Sequence, residues 1–268
     1  MGTTFANIIR TAPRVMIRRG GRLGAEVIVR RGNRVHCVCC GNTSMRFLPS
    51  GAPPRPNVRC PHCDALDRHR ILWGRVREII RPGDRVLHFA PEAALAHNIA
   101  HVPNIDYTAA DVDPSGSHLE TEFPIVRADI TCQPWRDGWF DVIVVSHVLE
   151  HVPDDHAALR ELRRVIKPDG RVISHHPFDP GREHTFEDPS ITTPAERLRV
   201  YGQADHVRIY GRDLPDRWRS VGFAVGTLGD AAALEATPVH DAPTWKPAAT
   251  TPEAGVTTSF ARASIPGT

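Results

Sequence analysis

Residues 140–152 read FDVIVVSHVLEHV and give the strongest indication of the architecture of this 268-residue chain. Their first part, 140–147, is a strand-length run of apolar, mostly β-branched residues, which predicts a buried strand. A helix follows, because Asp154 and Asp155 can cap its N-terminus and apolar residues then recur at helical spacing up to a Lys-Pro-Asp-Gly turn. Residues 171–178 return as another strand. Strand, helix and strand in this order predict one unit of a parallel sheet.

The same alternation continues towards the N-terminus. Strands are predicted over 85–90 and 105–111, with a helix over 92–100 between them. These elements predict an α/β fold with a doubly wound, mostly parallel sheet, whose ligands bind beyond the carboxyl ends of the strands.

The C-terminal part is less regular. Residues 179–220 are polar and are predicted to cover the substrate, and a strand is expected near 223–228. Residues 231–256 are rich in Ala, Pro and Thr without periodicity, which predicts a surface excursion before a last strand at 257–263.

Five of the six cysteines lie between positions 37 and 63. Two Cys-x2-Cys pairs fit the spacing at which two tight turns offer four thiolates to one tetrahedral Zn²⁺. A zinc site with four protein ligands is closed to water, so its expected role is structural. Disulfides are the alternative, and Cys39 and His62 are spare ligands. The predicted ligands are Cys37, Cys40, Cys60 and Cys63.

The net charge of +2 conceals an asymmetry between two parts of the chain. Residues 1–81 hold 16 Arg and 4 acidic residues, a balance of +12 that leaves −10 for residues 82–268. We therefore predict a basic N-terminal part, 1–81, with the zinc knuckle and a linking helix over 65–80, and a second domain over 82–268. Opposite charges also predict that the two parts dock against each other.

Localisation and oligomeric state are weakly constrained by the sequence. The longest uncharged apolar runs have strand length, far below the roughly 20 residues of a membrane-spanning helix, so no membrane insertion is expected. The first 25 residues are Arg-rich but lack an apolar core and a cleavage signal, which favours an unprocessed cytoplasmic protein. The oligomeric state stays open.

The stretch 140–152, the helix after it and Lys167-Pro168-Asp169-Gly170 resemble the class I S-adenosylmethionine-dependent methyltransferases over about residues 82–228. The preceding Cys-x2-Cys pairs resemble a subgroup with an N-terminal zinc knuckle. The resemblance implies a Rossmann-like fold, S-adenosylmethionine as cofactor and a methyl acceptor as substrate.

The resemblance also implies cofactor-binding positions. The loop after the first strand departs from the family's glycine-rich pattern, which implies a differently shaped loop in which Glu92 binds the methionine ammonium or merely favours a helix N-terminus. Asp111, with Asp113 as the fallback, matches the ribose position, and Asp129 with Ile130 matches the adenine position. Ser146 and His147 are expected to line the cleft. The predicted cofactor residues are His88, Ala90, Pro91, Glu92, Asp111, Asp129, Ile130, Ser146 and His147.

Methyl transfer to a hydroxyl or amine needs a proton acceptor, and a neutral imidazole suits this role near pH 7. Candidates at strand ends are His147, His151, His175 and His176, with Glu150 as a carboxylate alternative. Because neighbouring strand residues point to opposite faces, at most one of His175 and His176 is expected to face the cleft.

Predicted substrate contacts are Arg68 and His69, for which a solvated helix face is the alternative, and Arg208 and Tyr210. The leading hypothesis is methyl transfer to O, N or C of a small molecule, with a place in specialised metabolism. The first alternative is an RNA methyltransferase whose basic part contacts phosphates. The others are a sulfonium displacement or cyclisation on the same fold and a zinc-dependent binding module without catalysis.

Overall fold

The structure is a computed structural model that describes residues 29–51, 53–115, 123–228 and 232–239. Its N-terminal part contains two small antiparallel hairpins and a helix. The first Cys-x2-Cys turn connects the strands of the first hairpin, the second turn follows the second hairpin, and the helix leads into the central sheet. These elements are β1 (Val35–His36), β2 (Thr43–Ser44), β3 (Leu48–Ser50), β4 (Arg55–Arg59) and α1 (Asp67–Ile79).

The middle of the chain forms the parallel part of the sheet. A helix follows the first and the fourth of its strands, as the sequence predicts, and a one-turn 3-10 helix at Leu149–His151 comes directly after the fourth strand. The elements are β5 (Arg85–Phe89), α2 (Ala93–Ala100), β6 (Asp106–Asp111), β7 (Ile125–Arg127), β8 (Phe140–Ser146), α3 (Asp155–Val165) and β9 (Ile166–His175).

The last described part adds a two-stranded sheet, two short helices and two further strands of the central sheet. They are β10 (Phe186–Glu187), α4 (Pro194–Tyr201), β11 (Arg208–Ile209), α5 (Leu214–Arg219), β12 (Phe223–Thr227) and β13 (Ala233–Pro238). Across the described residues, no helix has the length and apolarity needed to cross a membrane.

The seven-stranded sheet has the order β12-β13-β9-β8-β5-β6-β7. Strands β9, β8, β5, β6 and β7 pair in parallel, and β13 pairs antiparallel with both β9 and β12. This is the predicted doubly wound, mostly parallel, Rossmann-like sheet with a cysteine-rich N-terminal part. The chain runs outwards from β5 in both directions, so the carboxyl ends of β5 and β8 form the switch point at which such sheets bind ligands.

Apolar helix faces cover both sides of the sheet. The capped helix α3 buries Leu159 and Leu162 against one side, and α1 buries Leu72 and Val76 with α2 against the other. Helix α1 therefore shares a core with the sheet, although it lies N-terminal to the expected domain boundary at residue 81. That boundary stays a prediction.

Two expectations for the C-terminal part need correction. Residues 233–238 form β13 between β9 and β12, rather than a surface excursion, because their backbone pairs on both sides although their composition is poor in β-branched residues. The strand predicted over 171–178 ends at His175, and its first residue is Ile166. The strand predicted at 257–263 lies outside the described residues.

Candidate active site

The loop after β5 starts with a residue in an unusual backbone conformation. Ala90 has φ +47°, in the left-handed region that glycine favours, so the loop turns sharply without a glycine. Ala90 thus reaches a positive φ without being glycine, and the different loop shape stays a prediction. The preceding His88 is fully buried, and its Nδ1 lies 3.0 Å from the Tyr107 hydroxyl. Burial lowers the pKa of His88 to about 4, so the ring is neutral at pH 7.

Glu92 follows Ala90 and the buried Pro91, and its carboxylate has three side-chain partners. Arg68 Nε and the Ser146 hydroxyl donate to it at 3.0 and 2.8 Å, and His69 Nε2 lies 2.8 Å away. Although burial opposes ionisation, these contacts hold the pKa of Glu92 well below its usual range. Arg68 and His69 both contact Glu92, and Arg68 also lines the cavity described below, so their role as substrate contacts stays a prediction. The same contacts occupy the carboxylate that was expected to bind an ammonium group.

The ends of β6 and of the segment after β7 carry the two other acidic residues. Asp111 is buried and accepts a hydrogen bond from the backbone of Asp113 at 2.7 Å. Asp129 is exposed and accepts from the Thr131 backbone and hydroxyl at 2.8 and 2.7 Å. Both carboxylates thus lie at the predicted edge of the sheet.

The predicted apolar partner at this edge is buried, whereas a nearby apolar residue is exposed. Ile130 is only 5% exposed and packs in the core, so it offers little surface to a ligand. Val112 is 62% exposed directly after Asp111. An exposed apolar residue beside a buried carboxylate is the surface that a nucleoside ring would cover. The sequence offers Val112 only as the residue between Asp111 and Asp113, and the prediction missed it.

The loop after β8 repeats the geometry of the loop after β5. Ser146 ends the strand, and His147 has φ +54°. The carboxylate of Glu150 is fully buried, and His147 Nδ1 lies 3.0 Å from one of its oxygens. His176 Nδ1 lies 3.8 Å from the other. Burial opposes ionisation, but the two imidazoles lower the pKa of Glu150 below its usual range.

A cavity of about 400 Å³ opens at the carboxyl ends of β8 and β9. Both His175 and His176 line it with His147, so the expectation that only one of the first two faces the cleft is wrong. The strand ends at His175, and the alternation of side chains ends with it. The lining residues are Arg55, Asp67, Arg68, His147, His175, His176, Pro177, Phe178, Pro180 and Ala232.

Residues 89–174 match the methyltransferase domain family, and they include the loops after β5, β6 and β8. This match and the relatives below support a class I S-adenosylmethionine-dependent methyltransferase domain at residues 89–174. The demethylmenaquinone methyltransferase of Beutenbergia cavernae is 29% identical over 178 residues, which cover 57% of this chain and 72% of that one. That of Clavibacter sepedonicus is 34% identical over 98 residues, 34% of this chain and 40% of that one.

Among solved structures, the YcgJ protein from Bacillus subtilis is similar with 22% identity and a TM-score of 0.43. The match covers 59% of this chain and 69% of that chain.

Two predicted substrate contacts of the methyltransferase are structural. Arg208 is 2% exposed and donates to the carbonyls of Leu149 and Pro153 at 2.6 and 2.9 Å, so it holds the loop after β8. Tyr210 is 1% exposed, and its hydroxyl donates to Asp155 at 2.9 Å. Neither side chain reaches the cavity.

His151 also lies away from the cavity lining of the methyltransferase. Its Nδ1 is 3.2 Å from a carboxylate oxygen of Asp205, and its ring contacts that of His206 edge to face. It is therefore a weaker candidate for the proton acceptor than His147, His175 or His176.

The four predicted zinc ligands of the methyltransferase come together. The Sγ atoms of Cys37 and Cys63, and those of Cys40 and Cys60, are each 3.8 Å apart, and all four thiols are free. A zinc–sulfur distance of about 2.3 Å in a tetrahedron places sulfurs about 3.8 Å apart, whereas a disulfide needs about 2.0 Å. The cluster fits Zn²⁺ and contains no disulfide. Cys39 is buried beside it, and His62 contacts the Thr43 carbonyl.

Proposed function

We propose that the enzyme transfers the methyl group of S-adenosylmethionine to a small-molecule acceptor, with His147 as the proton acceptor. The observation that carries this proposal is the cavity in which His147, His175 and His176 meet at neighbouring parallel strand ends. A volume of about 400 Å³ suits a small molecule. The curated relatives are named for demethylmenaquinone, a small-molecule acceptor, which supports the same class.

The cofactor, when bound, supplies a methyl group on a positively charged sulfur. Asp111 would accept hydrogen bonds from the ribose hydroxyls, Asp129 would accept one from the adenine amino group, and Val112 would pack on the ring. Glu92 fixes the loop after β5 through Arg68 and Ser146 rather than binding the methionine end directly.

His147 and Glu150 are arranged to move a proton. The Glu150 carboxylate lies behind the imidazole, 3.0 Å from Nδ1, and it orients the ring. Nε2 of His147 is then the atom that receives the proton of an acceptor hydroxyl or amine. The backbone turn at His147 directs the side chain into the cavity directly after Ser146.

Calorimetry with S-adenosylmethionine and its demethylated product tests the cofactor assignment. We expect binding to the full chain and at least tenfold weaker binding to Asp111→Asn, because the ribose loses its charged acceptor. Absence of binding to the unsubstituted protein would overturn the proposal. Metabolite profiling of a deletion strain then identifies the acceptor. A product one CH₂ heavier than the acceptor indicates methylation, whereas loss of a sulfur fragment indicates the cyclisation alternative.

We also propose that Cys37, Cys40, Cys60 and Cys63 hold a structural Zn²⁺, supported by the sulfur spacing. We expect one zinc per cysteine cluster, lost in the double variant Cys60→Ser with Cys63→Ser. Unchanged zinc content in that variant would contradict the assignment. Free thiols throughout are typical of a reducing cytoplasm, where we place the enzyme.

The basic N-terminal part contributes ion pairs to the catalytic part. Arg68 binds Glu92, and Arg75 binds Glu235 of β13 at 2.8 Å. These contacts support docking as one role of its positive charge. We therefore favour a small molecule over RNA as the methyl acceptor.

A further inference from the structure

A second cluster of metal-binding side chain types lies beside the cavity, separate from the cysteines. Glu150, His151 and His206 each offer one ligand atom, and these three atoms lie within 4.8 Å of one another. Glu150 and His151 belong to the 3-10 turn after β8, and His206 lies just before β11. A backbone hydrogen bond of 2.9 Å from Val207 to the Glu150 carbonyl ties the two segments together.

Two of these side chains are buried and carry polar atoms without a hydrogen-bond partner. Glu150 is fully buried, and His206 is 5% exposed. Within the described residues, both carboxylate oxygens of Glu150 and the Nε2 atom of His206 lack a hydrogen-bond partner. The contact of His147 with Glu150 is close at 3.0 Å, but it does not meet hydrogen-bond geometry. Buried polar atoms in native proteins are nearly always satisfied, so these atoms point to an additional partner.

The third residue, His151, has the carboxylate partner that metal-binding histidines usually have. Nδ1 of His151 lies 3.2 Å from a carboxylate oxygen of Asp205, which leaves Nε2 for a second contact. A carboxylate behind the imidazole fixes the ring and raises its basicity as a ligand. The rings of His151 and His206 are 4.7 Å apart and nearly perpendicular, at 84°.

We propose that Glu150, His151 and His206 form a site for a divalent first-row transition-metal ion. Two imidazoles and one carboxylate suit Zn²⁺, Fe²⁺ and Mn²⁺, and three protein ligands leave at least one coordination position open. Ligand atoms of a tetrahedral site with these bond lengths lie about 3.4 Å apart, so binding draws the three side chains together. Because Glu150 also contacts His147, the ion lies one side chain from the cavity wall.

Metal content of the full-length protein tests this site. The protein is dialysed separately against Zn²⁺, anaerobic Fe²⁺ and Mn²⁺ with its cysteine zinc retained, and bound metal is counted per chain. We expect two metal ions per chain in the unsubstituted protein and one in His206→Ala. The exposed His184→Ala is the matched control and keeps two. The ion that gives the second equivalent at the lowest free concentration identifies the preferred metal.

One metal ion per chain in the unsubstituted protein under all three conditions would overturn the proposal, and so would two ions in His206→Ala. Zinc retained at the cysteines shows that the variant is folded. If His206→Ala does not fold, His151→Ala, at a half-buried position, replaces it with the same expectation. A Co²⁺-loaded second site without a thiolate-to-metal absorption band distinguishes it from the cysteine cluster. Cofactor affinity is measured separately, so a failed metal site leaves the methyltransferase proposal standing.

Discussion

The loops after β5 and β8 leave neighbouring strand ends with the same design and different partners. Each begins with a left-handed non-glycine residue, Ala90 at φ +47° and His147 at φ +54°, and each carries a carboxylate a few residues later. The Glu92 carboxylate accepts hydrogen bonds from Arg68 and Ser146, whereas the Glu150 carboxylate contacts imidazoles without a hydrogen bond in the described part. The same backbone turn is therefore followed by a hydrogen-bonded carboxylate in one loop and by a buried carboxylate without hydrogen bonds in the other.

The largest expected effect is a loss of activity when the charge of the Glu150 carboxylate is removed. Glu150→Gln keeps the shape of the side chain but removes the charge behind His147, so we expect kcat to fall at least about a hundredfold. KM and cofactor affinity should stay within about threefold, because the residue acts through His147. Steady-state kinetics and calorimetry measure both, and Glu150→Asp should restore part of kcat. An unchanged kcat would show that the two loops do not differ in the proposed way.

The next effect concerns His88 beneath the β5 loop. Its folded-state pKa of about 4 lies below the ordinary 6.5, so the unfolded chain takes up a proton first as the pH falls. Stability from this residue is therefore complete above pH 6.5 and decreases by roughly 3 kcal/mol as the pH falls towards 4. Urea unfolding between these pH values measures the slope. His88→Gln should show a flatter slope, and equal slopes would contradict the burial of a neutral ring.

Glu92→Gln is expected to act mainly on stability. Removing the charge leaves the Arg68 guanidinium without its counter-ion, which should lower the free energy of unfolding by about 2 kcal/mol. Glu78→Gln is the control, since Glu78 pairs with Arg75 at an exposed position and should cost less than about 0.5 kcal/mol. Denaturant titration distinguishes them. Equal losses of stability in the two variants would contradict the difference between the ion pair of Glu92 and the exposed ion pair of Glu78.

The smallest effect is on the turn itself. Ala90→Gly relieves the left-handed strain of an alanine and should raise the free energy of unfolding by roughly 0.5–1 kcal/mol. Ala94→Gly, in the first turns of α2, should lower it by about 1 kcal/mol instead. Thermal unfolding at one pH compares the two variants. A loss of stability in Ala90→Gly would show that the turn carries no strain.

Local patterns predict the fold where burial alone decides the residue types. The run at 140–147 and the capped helix after it are readable because a parallel strand is covered on both faces. The strand at 233–238 is not, since its place between β9 and β12 comes from pairing with residues far away in the chain. Ala, Glu and Thr carry no strong strand signal by themselves.

The site was predictable at strand ends and not beyond them. Asp111, Ser146 and His147 follow from the edge of the sheet, and the cysteine cluster follows from its spacing. The contact of Arg68 with Glu92 depends on how α1 packs, which no spacing reports. Arg208 lies in a polar segment and would be expected at the surface, but its donors bind backbone carbonyls, which leave no trace in the sequence.

The ion pair between Arg75 and Glu235 joins residues 160 positions apart and has a consequence for biosynthesis. At about 5–20 residues per second, a ribosome releases β13 roughly 10–30 s after α1. Throughout that interval, part of the surface that covers the apolar face of α1, with Leu72 and Val76, has not yet been synthesised. The cysteine cluster needs only residues 37–63 to close. Residues 37–63, with the proposed zinc ion, can therefore fold before β13, the last described strand, is synthesised.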